Sequence, residues 1–205
     1  MSLVKGAASF ARGRAFFGEH LPGASVAFFR VAFGLVVAGS ALRTLCLGWV
    51  EPHYLEPSIH FAHAGFGWLP VGPAWLVYGR YVGLVLAGLA LAVGRGRVLR
   101  IAAGLIALLF AWNHFVDKAL YLNHHHLVML FAILLAGIPA PRTRPSPRGV
   151  VGGTVARGSL WLLRAQVMLV YLHAGLAKIH PDWLLEAQPL RLWFAERDHW
   201  PLIGG

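Results

Sequence analysis

Apolar positions fall in five long runs separated by short polar segments. The runs are residues 24–47, 74–93, 98–117, 124–138 and 159–179. A helix of about 20 residues, rising ~1.5 Å per residue, crosses the ~30 Å hydrocarbon layer of a bilayer. Each run is therefore read as a transmembrane helix, and 124–138 reaches that length only if the histidines before it begin the helix. The connecting segments differ sharply. Residues 48–73 form a loop rich in Gly, Pro and aromatics, with no Lys or Arg but with Glu51, Glu56, His53, His60 and His63. Residues 94–100 form a tight turn with Arg95, Arg97 and Arg100, and 139–158 a stiff basic linker with Pro139, Pro141, Pro145, Pro147, Arg142, Arg144, Arg148 and Arg157. Residues 1–23 are a basic lead-in, and 180–205 an interfacial segment marked by Trp183, Trp193 and Trp200. The predicted architecture is an all-α integral membrane protein: a bundle of about five transmembrane helices over 24–179 with an interfacial C-terminal segment. No internal repeat is present.

Composition agrees with that pattern. Of 205 residues 58% are hydrophobic, only 13% are charged, and mean hydropathy is +0.62. A soluble domain carries about twice that charged fraction. The net charge of +10 invites nucleic acid as a partner, but the basic residues sit in clusters between apolar runs and form no single stripe, so none is expected. The single cysteine, Cys46, excludes an internal disulfide, a Cys-x-x-Cys redox pair and a thiolate metal cage. Residues 1–23 show no apolar core ending in a small-residue cleavage site.

Charge sets the expected orientation. With five spans, residues 1–23, 94–100 and 139–158 share one side with ten Lys and Arg, against three in residues 48–73, 117–123 and 180–205 on the other. The positive-inside rule puts the N-terminus in the cytoplasm of a multi-pass protein of the cell (inner) membrane. The His60 loop, the 117–126 stretch and the tail then converge on the extracytoplasmic face.

That convergence brings chemistry together. Asp117, Lys118, Asn123, His124, His125 and His126 crowd into ten residues at the mouth of an apolar run. If the third helix persists, His114, Asp117 and Lys118 share a face at i, i+3 and i+4. Desolvation at the hydrocarbon edge favours the neutral amine of Lys118, a base, whereas Asp117 favours the ammonium. The alternative is a snorkelling lysine paired with Asp117. His124, His125 and His126 lie ~100° apart on a helix, so they cannot all ligate one metal ion, and no metal is expected. Arg164, Tyr171 and Lys178 recur every seven residues, as do Gln166, His173 and His180, so the fifth helix is polar on two faces. Such a helix is buried in the bundle or lines a cavity, and helix-to-helix hydrogen bonding is the alternative. Of the intramembrane arginines Arg30, Arg43 and Arg80, Arg43 lies near the outward end, where it could hold an anionic group or Asp117.

Four blocks resemble the membrane domain of vitamin K-dependent gamma-carboxylases and their bacterial relatives, the horizontally transferred transmembrane (HTTM) family. They are Arg30-Val-Ala-Phe33-Gly34 with Arg43; His60-Phe61-Ala62-His63-Ala64-Gly65-Phe66-Gly67-Trp68; Asp117-Lys118 with Asn123-His124; and Arg164-x-Gln166 through Tyr171, Ala174-Gly175, Lys178 and Asp182-Trp183. The third is the most specific, and together they cover residues 24 to about 200. The resemblance implies that Lys118, as a neutral amine, deprotonates reduced vitamin K or menaquinol. Oxygen then converts the quinol to an alkoxide base and finally an epoxide. That base removes a gamma proton from a glutamyl side chain, and the carbanion takes up CO2. Lys118 and His60 would be catalytic. Asp117, Asn123, His124, His114, Arg43, Tyr171 and Lys178 would support the site. No residue is assigned to the quinone, and the expected partners are lipid, quinone and a glutamyl peptide or protein.

Family carboxylases continue beyond the matched region with more helices and a β-rich extracytoplasmic domain, so the resemblance implies a truncated or reduced relative. Leu122 stands where the carboxylases often have Asn, and His125 and His126 where small polar or aromatic residues are usual. Two other functions are carried forward: a non-enzymatic HTTM-fold protein for immunity, maturation or small-molecule binding, and a haem or metal binder with His114 and His173 as axial ligands.

Overall fold

The computed structural model of the chain describes residues 15–140, 142–146 and 149–195. It divides into two units, residues 1–163 and 164–205. The first holds β1 (His20–Pro22), α1 (Ala24–Cys46), α2 (Ala74–Val93), α3 (Arg97–Val116), α4 (Asn123–Gly137), β2 (Arg142–Ser146), β3 (Gly149–Ala156) and the start of α5 (Arg157–Leu176). The second holds the rest of α5 with α6 (Pro181–Leu184) and α7 (Gln188–Ala195).

Among the described residues, α1, α2, α3 and α5 are long and apolar enough to cross a membrane, and α4 is a shorter apolar helix of 15 residues. Its three histidines do begin it, which still gives it only about 22 Å of length. The protein is an all-α membrane bundle with one small sheet. In the first unit α1 packs on α2, α2 on α3 and α3 on α4. Phe33, Val37, Leu84, Leu91, Ile106 and Leu135 fill the centre, while Phe28, Leu86, Ile101 and Leu108 point outward. Lipid is as apolar as these side chains, so the helices gain little by hiding them and associate through close packing instead.

The closest approach is between α1 and α2. A Cβ on Gly34 would meet the Gly88 carbonyl oxygen at 2.5 Å, and one on Gly88 would meet that of Gly34 at 2.6 Å. Ala38 and Ala92 complete the contact. Only hydrogen at both positions lets the two backbones touch.

One end of this unit gathers the basic segments. The buried Arg30 donates from Nη2 to the carbonyl oxygens of Ile138 and Pro139, each at 3.1 Å. It thereby satisfies carbonyls left without partners at the C-terminus of α4. Residues 139–158 are not a bare linker. β2 and β3 form an antiparallel hairpin, and β1 adds to β3, giving the order β1-β3-β2. The β-branched run Val150, Val151, Thr154 and Val155 favours a strand. Pro145 is tolerated because β2 is an edge strand. Pro141, Pro147 and Arg148 lie outside the described residues, as do residues 1–14 and Trp200. Glu19 and Arg157 close this end with an ion pair at 2.6 Å. The opposite end carries the 48–73 loop and the 117–122 connection.

Gly34→Ala and Gly88→Ala should each destabilise the bundle by about 1–3 kcal/mol through overpacking. Gly104→Ala, where a Cβ would find nothing within 4 Å, should leave stability unchanged or slightly raised. Thermal unfolding of the purified protein in detergent checks this, and equal melting temperatures for all three variants would refute it.

Candidate functional site

α3 ends at Val116. Asp117 has extended backbone angles (φ −148°, ψ 121°), and Lys118–Leu120 form a single 3₁₀ turn. The helical face expected to hold His114, Asp117 and Lys118 therefore does not exist. The cause is local. The Asp117 side chain accepts from the Ala119 amide at 2.9 Å and caps the short turn, a role that competes with continuing the helix.

The same carboxylate gathers the distant loop. His60 Nδ1 donates to Asp117 Oδ2 at 2.9 Å, and the Phe61 amide donates to Oδ1 at 3.2 Å. Asp117 is 3% exposed, so three donors satisfy a charge that is almost fully buried. Burial works to raise its carboxyl pKa. The Ala119 amide, the His60 ring and the Phe61 amide outweigh that and hold it below the ordinary carboxylate value. Asp117 makes no ion pair with Lys118 among the described residues.

The backbone completes the junction. The Lys118 amide donates to the Phe61 carbonyl at 2.6 Å, and the His63 amide to that of Phe115 at 3.2 Å. Phe66 stacks on Phe115 with ring centres 4.2 Å apart and planes within 3°. The loop is anchored further along, where Trp112 Nε1 donates to the Pro70 carbonyl at 3.0 Å and Arg80 Nη1 to that of Val71 at 2.8 Å. Past a short π-helical turn at Glu51–Leu55, the irregular part of the loop thus follows one path over the end of α3 and delivers His60 to Asp117. The Lys118 side chain is left exposed, as are Phe61 and Tyr121.

Behind this junction lies an imidazole cluster. His63 stacks on His114 with ring centres 5.2 Å apart, and His126 Nδ1 lies 3.4 Å from His114 Nε2. Tyr121 packs against His114 at 5.3 Å. His125 instead meets Phe110, and His124 is exposed like Asn123. His124 and His125 touch edge to face with ring centres 4.6 Å apart while His126 turns to His114, and among the described residues no three His, Cys, Asp or Glu are grouped to hold a metal ion.

Next to the cluster is a cavity of about 60 Å³ between α1, α2, α3 and α4, lined by Thr44, Tyr54, Tyr81, Asn113, His114 and His125 among others. Tyr81 donates to the Tyr54 hydroxyl at 3.2 Å. Burial pushes the Tyr54 phenol up, so it stays protonated. Asn113 Oδ1 and His114 Nδ1 are buried without a hydrogen-bond partner among the described residues. A cavity of this size holds a few water-sized guests, and its orphaned polar atoms suit a small polar one.

Arg43, Tyr171 and Lys178 have surroundings of their own. Arg43 lies over the Trp49 ring at 4.6 Å and does not hold Asp117. Tyr171 and Lys178 belong to the second unit, where Tyr171 is exposed and Lys178 lies 4.9 Å from the Trp183 ring centre. α5 ends at Leu176, so Lys178 and His180 fall beyond it and the two seven-residue rows do not run on one helix. His173 Nδ1 donates to the Leu169 carbonyl of its own helix at 3.0 Å. Sequence reasoning passed over Asn113, Tyr81 and Tyr54. Asn113 and Tyr81 had a signal, as polar groups inside apolar runs.

The depressed Asp117 pKa fixes a sign. A carboxylate whose folded pKa lies below its unfolded one contributes stability above the unfolded value, and loses it as pH falls through the folded value. Acidification below about 3.8, the ordinary value, should release the His60 loop. Asp117→Asn should loosen the loop already at neutral pH and abolish that acid transition. Histidine NMR signals and Trp68 fluorescence followed against pH check this, and an unchanged transition in the variant would refute it.

No curated protein and no solved structure matches the chain. A family model described as the HTTM domain matches residues 19–205. That span contains the whole bundle, the His60 loop and the Asp117–Lys118 junction, and the chain belongs to the HTTM domain family.

Proposed function

We propose that this protein catalyses quinol-driven carboxylation of glutamyl side chains at the extracytoplasmic face of the inner membrane, with Lys118 as the base toward the quinol. HTTM domains occur in vitamin K-dependent carboxylases. The observation that carries the reading is the junction itself: the Lys118 amide clamped to Phe61 at 2.6 Å and Asp117 committed to His60 at 2.9 Å.

The residues present fit a quinol on their open side. The interior cavity of about 60 Å³ is too small for a fused ring. Lys118, whose backbone is bonded to those of Phe61 and Tyr121, would offer an exposed amine where an amphipathic headgroup meets the bilayer edge, with the exposed Phe61 and Tyr121 as apolar neighbours in the chain. The reduced quinone, together with O2 and CO2, would supply the reducing equivalents and the new carbon. The chain would supply proton handling. Lys118 Nζ takes the proton of a quinol hydroxyl, and because Asp117 is turned away the amine is not tied up in a fixed ion pair. His60, with Nδ1–H toward Asp117, keeps an oriented lone pair on Nε2 and can hold a proton there. The fixed loop backbone then sets the Lys118-to-His60 geometry before any substrate arrives.

The test is incorporation of labelled bicarbonate into a glutamyl peptide by proteoliposomes supplied with reduced menaquinone or vitamin K. Wild type should label the peptide. Lys118→Ala should lose ~10²–10⁴-fold, the range of a positioned base, and His60→Ala should be impaired as well. Labelling by Lys118→Ala at the wild-type rate, or none by wild type with either quinol, would overturn the proposal.

A further inference from the structure

At the sheet end of the bundle, away from the junction, two grooves meet. The first, about 340 Å³, is lined by Arg97 and Arg100 at the start of α3, by Ile101, and by Ala136 near the end of α4. The second, about 380 Å³, runs between α2 and α3 and is lined by apolar residues only, from Val98, Ile101 and Ala90 at one end to Leu109 and Gly83 at the other. Ile101 lines both, so the basic groove and the apolar one adjoin along that side chain.

From Val98 to Leu109 the apolar groove follows α3 for about 16 Å at ~1.5 Å per residue. That is roughly half of a ~30 Å hydrocarbon layer, the depth of one leaflet. The arginines stand where that leaflet's headgroups would be. Arg100 Nε donates to the Ala136 carbonyl at 3.0 Å, which fixes its guanidinium at the rim while its other donors stay available. Arg97 is exposed and carries no side-chain hydrogen bond or ion pair among the described residues. Two guanidiniums one turn apart match the oxygens of a phosphodiester. At the deep end Leu109 packs over Gly83, where a Cβ would meet its Cδ1 at 2.9 Å, and closes the groove.

We infer that this composite groove binds one anionic phospholipid, its phosphate between Arg97 and Arg100 and one acyl chain along α2 and α3 toward Gly83. The occupant is set by charge complementarity at one end and by an apolar path of one-leaflet length at the other. Free phosphate would use only the first, and a neutral lipid only the second. The site lies at the other end of the helices from Lys118 and does not depend on the catalytic reading.

The test is native mass spectrometry of the full chain in detergent, titrated with phosphatidylglycerol or phosphatidylcholine of identical acyl chains, with inorganic phosphate as competitor. Wild type should prefer phosphatidylglycerol by at least about tenfold, each arginine contributing about fivefold. Arg97→Gln should cut the preference about fivefold, and the Arg97→Gln/Arg100→Gln pair should remove it. Leu105→Trp, which fills the apolar groove from an exposed lining position, should weaken both lipids alike and leave the preference intact. Equal affinity for the two lipids in wild type, a preference undiminished by Arg97→Gln, or displacement by millimolar phosphate would overturn the inference. Arg97→Gln touches no internal bond, so it reads the site even if the double variant folds poorly.

Discussion

A buried carboxylate must be hydrogen-bonded or it becomes neutral, and in this protein that requirement organises one whole end of the molecule. Asp117 sits where α3 gives out, and its partners come from both sides of a long sequence gap: Ala119 from its own turn, His60 and Phe61 from the loop. Remove the charge and three donors lose their acceptor together. The His60–Trp68 part of the loop has no regular secondary structure to fall back on. Its remaining attachments, such as Lys118 to Phe61 and His63 to Phe115, follow the same path and depend on that register.

The bundle that supports this end works by a different rule. Its helices gain little from hiding apolar side chains, because lipid is equally apolar. Close backbone contact takes over, as at Gly34 and Gly88, together with the internal satisfaction of helix ends, as where Arg30 serves the last carbonyls beyond α4. The two ends of the molecule therefore use charge in opposite senses. At the sheet end a buried cation closes a helix. At the loop end a buried anion gathers a loop and leaves the amine side chain of Lys118 exposed.

The sequence shows most of the bundle because membrane spans leave a strong signature: length, apolarity and the asymmetry of Lys and Arg. It also shows that the His60 loop and the 117–126 stretch share an end. It hides how they are joined. Helical periodicity carries His114, Asp117 and Lys118 onto one face, and only the capping preference of Asp117 argues against it, a preference of about one hydrogen bond that periodicity arguments ignore. The hairpin over 139–158 is hidden for a similar reason. Pro and Arg dominate its composition, and the strand signal of Val150, Val151 and Val155 becomes decisive only once β1 arrives from more than a hundred residues away. The cavity beside His114 needs four helices to form, and no local pattern predicts it. Lys178 and His180 are misplaced by a sequence repeat that outruns the end of α5.

The paired backbone bonds between the loop and the end of α3 have a mechanical meaning. Asp117 and Lys118 directly follow the last turn of α3, and the strip of chain that carries His60 is hydrogen-bonded to them. Tilting or sliding α3 to match a thinner or thicker bilayer moves the three together and leaves their separations unchanged. The depth of the site in the membrane can therefore vary while its internal geometry does not, which suits a centre that would meet a membrane-dissolved reagent on one side and a water-borne acceptor on the other.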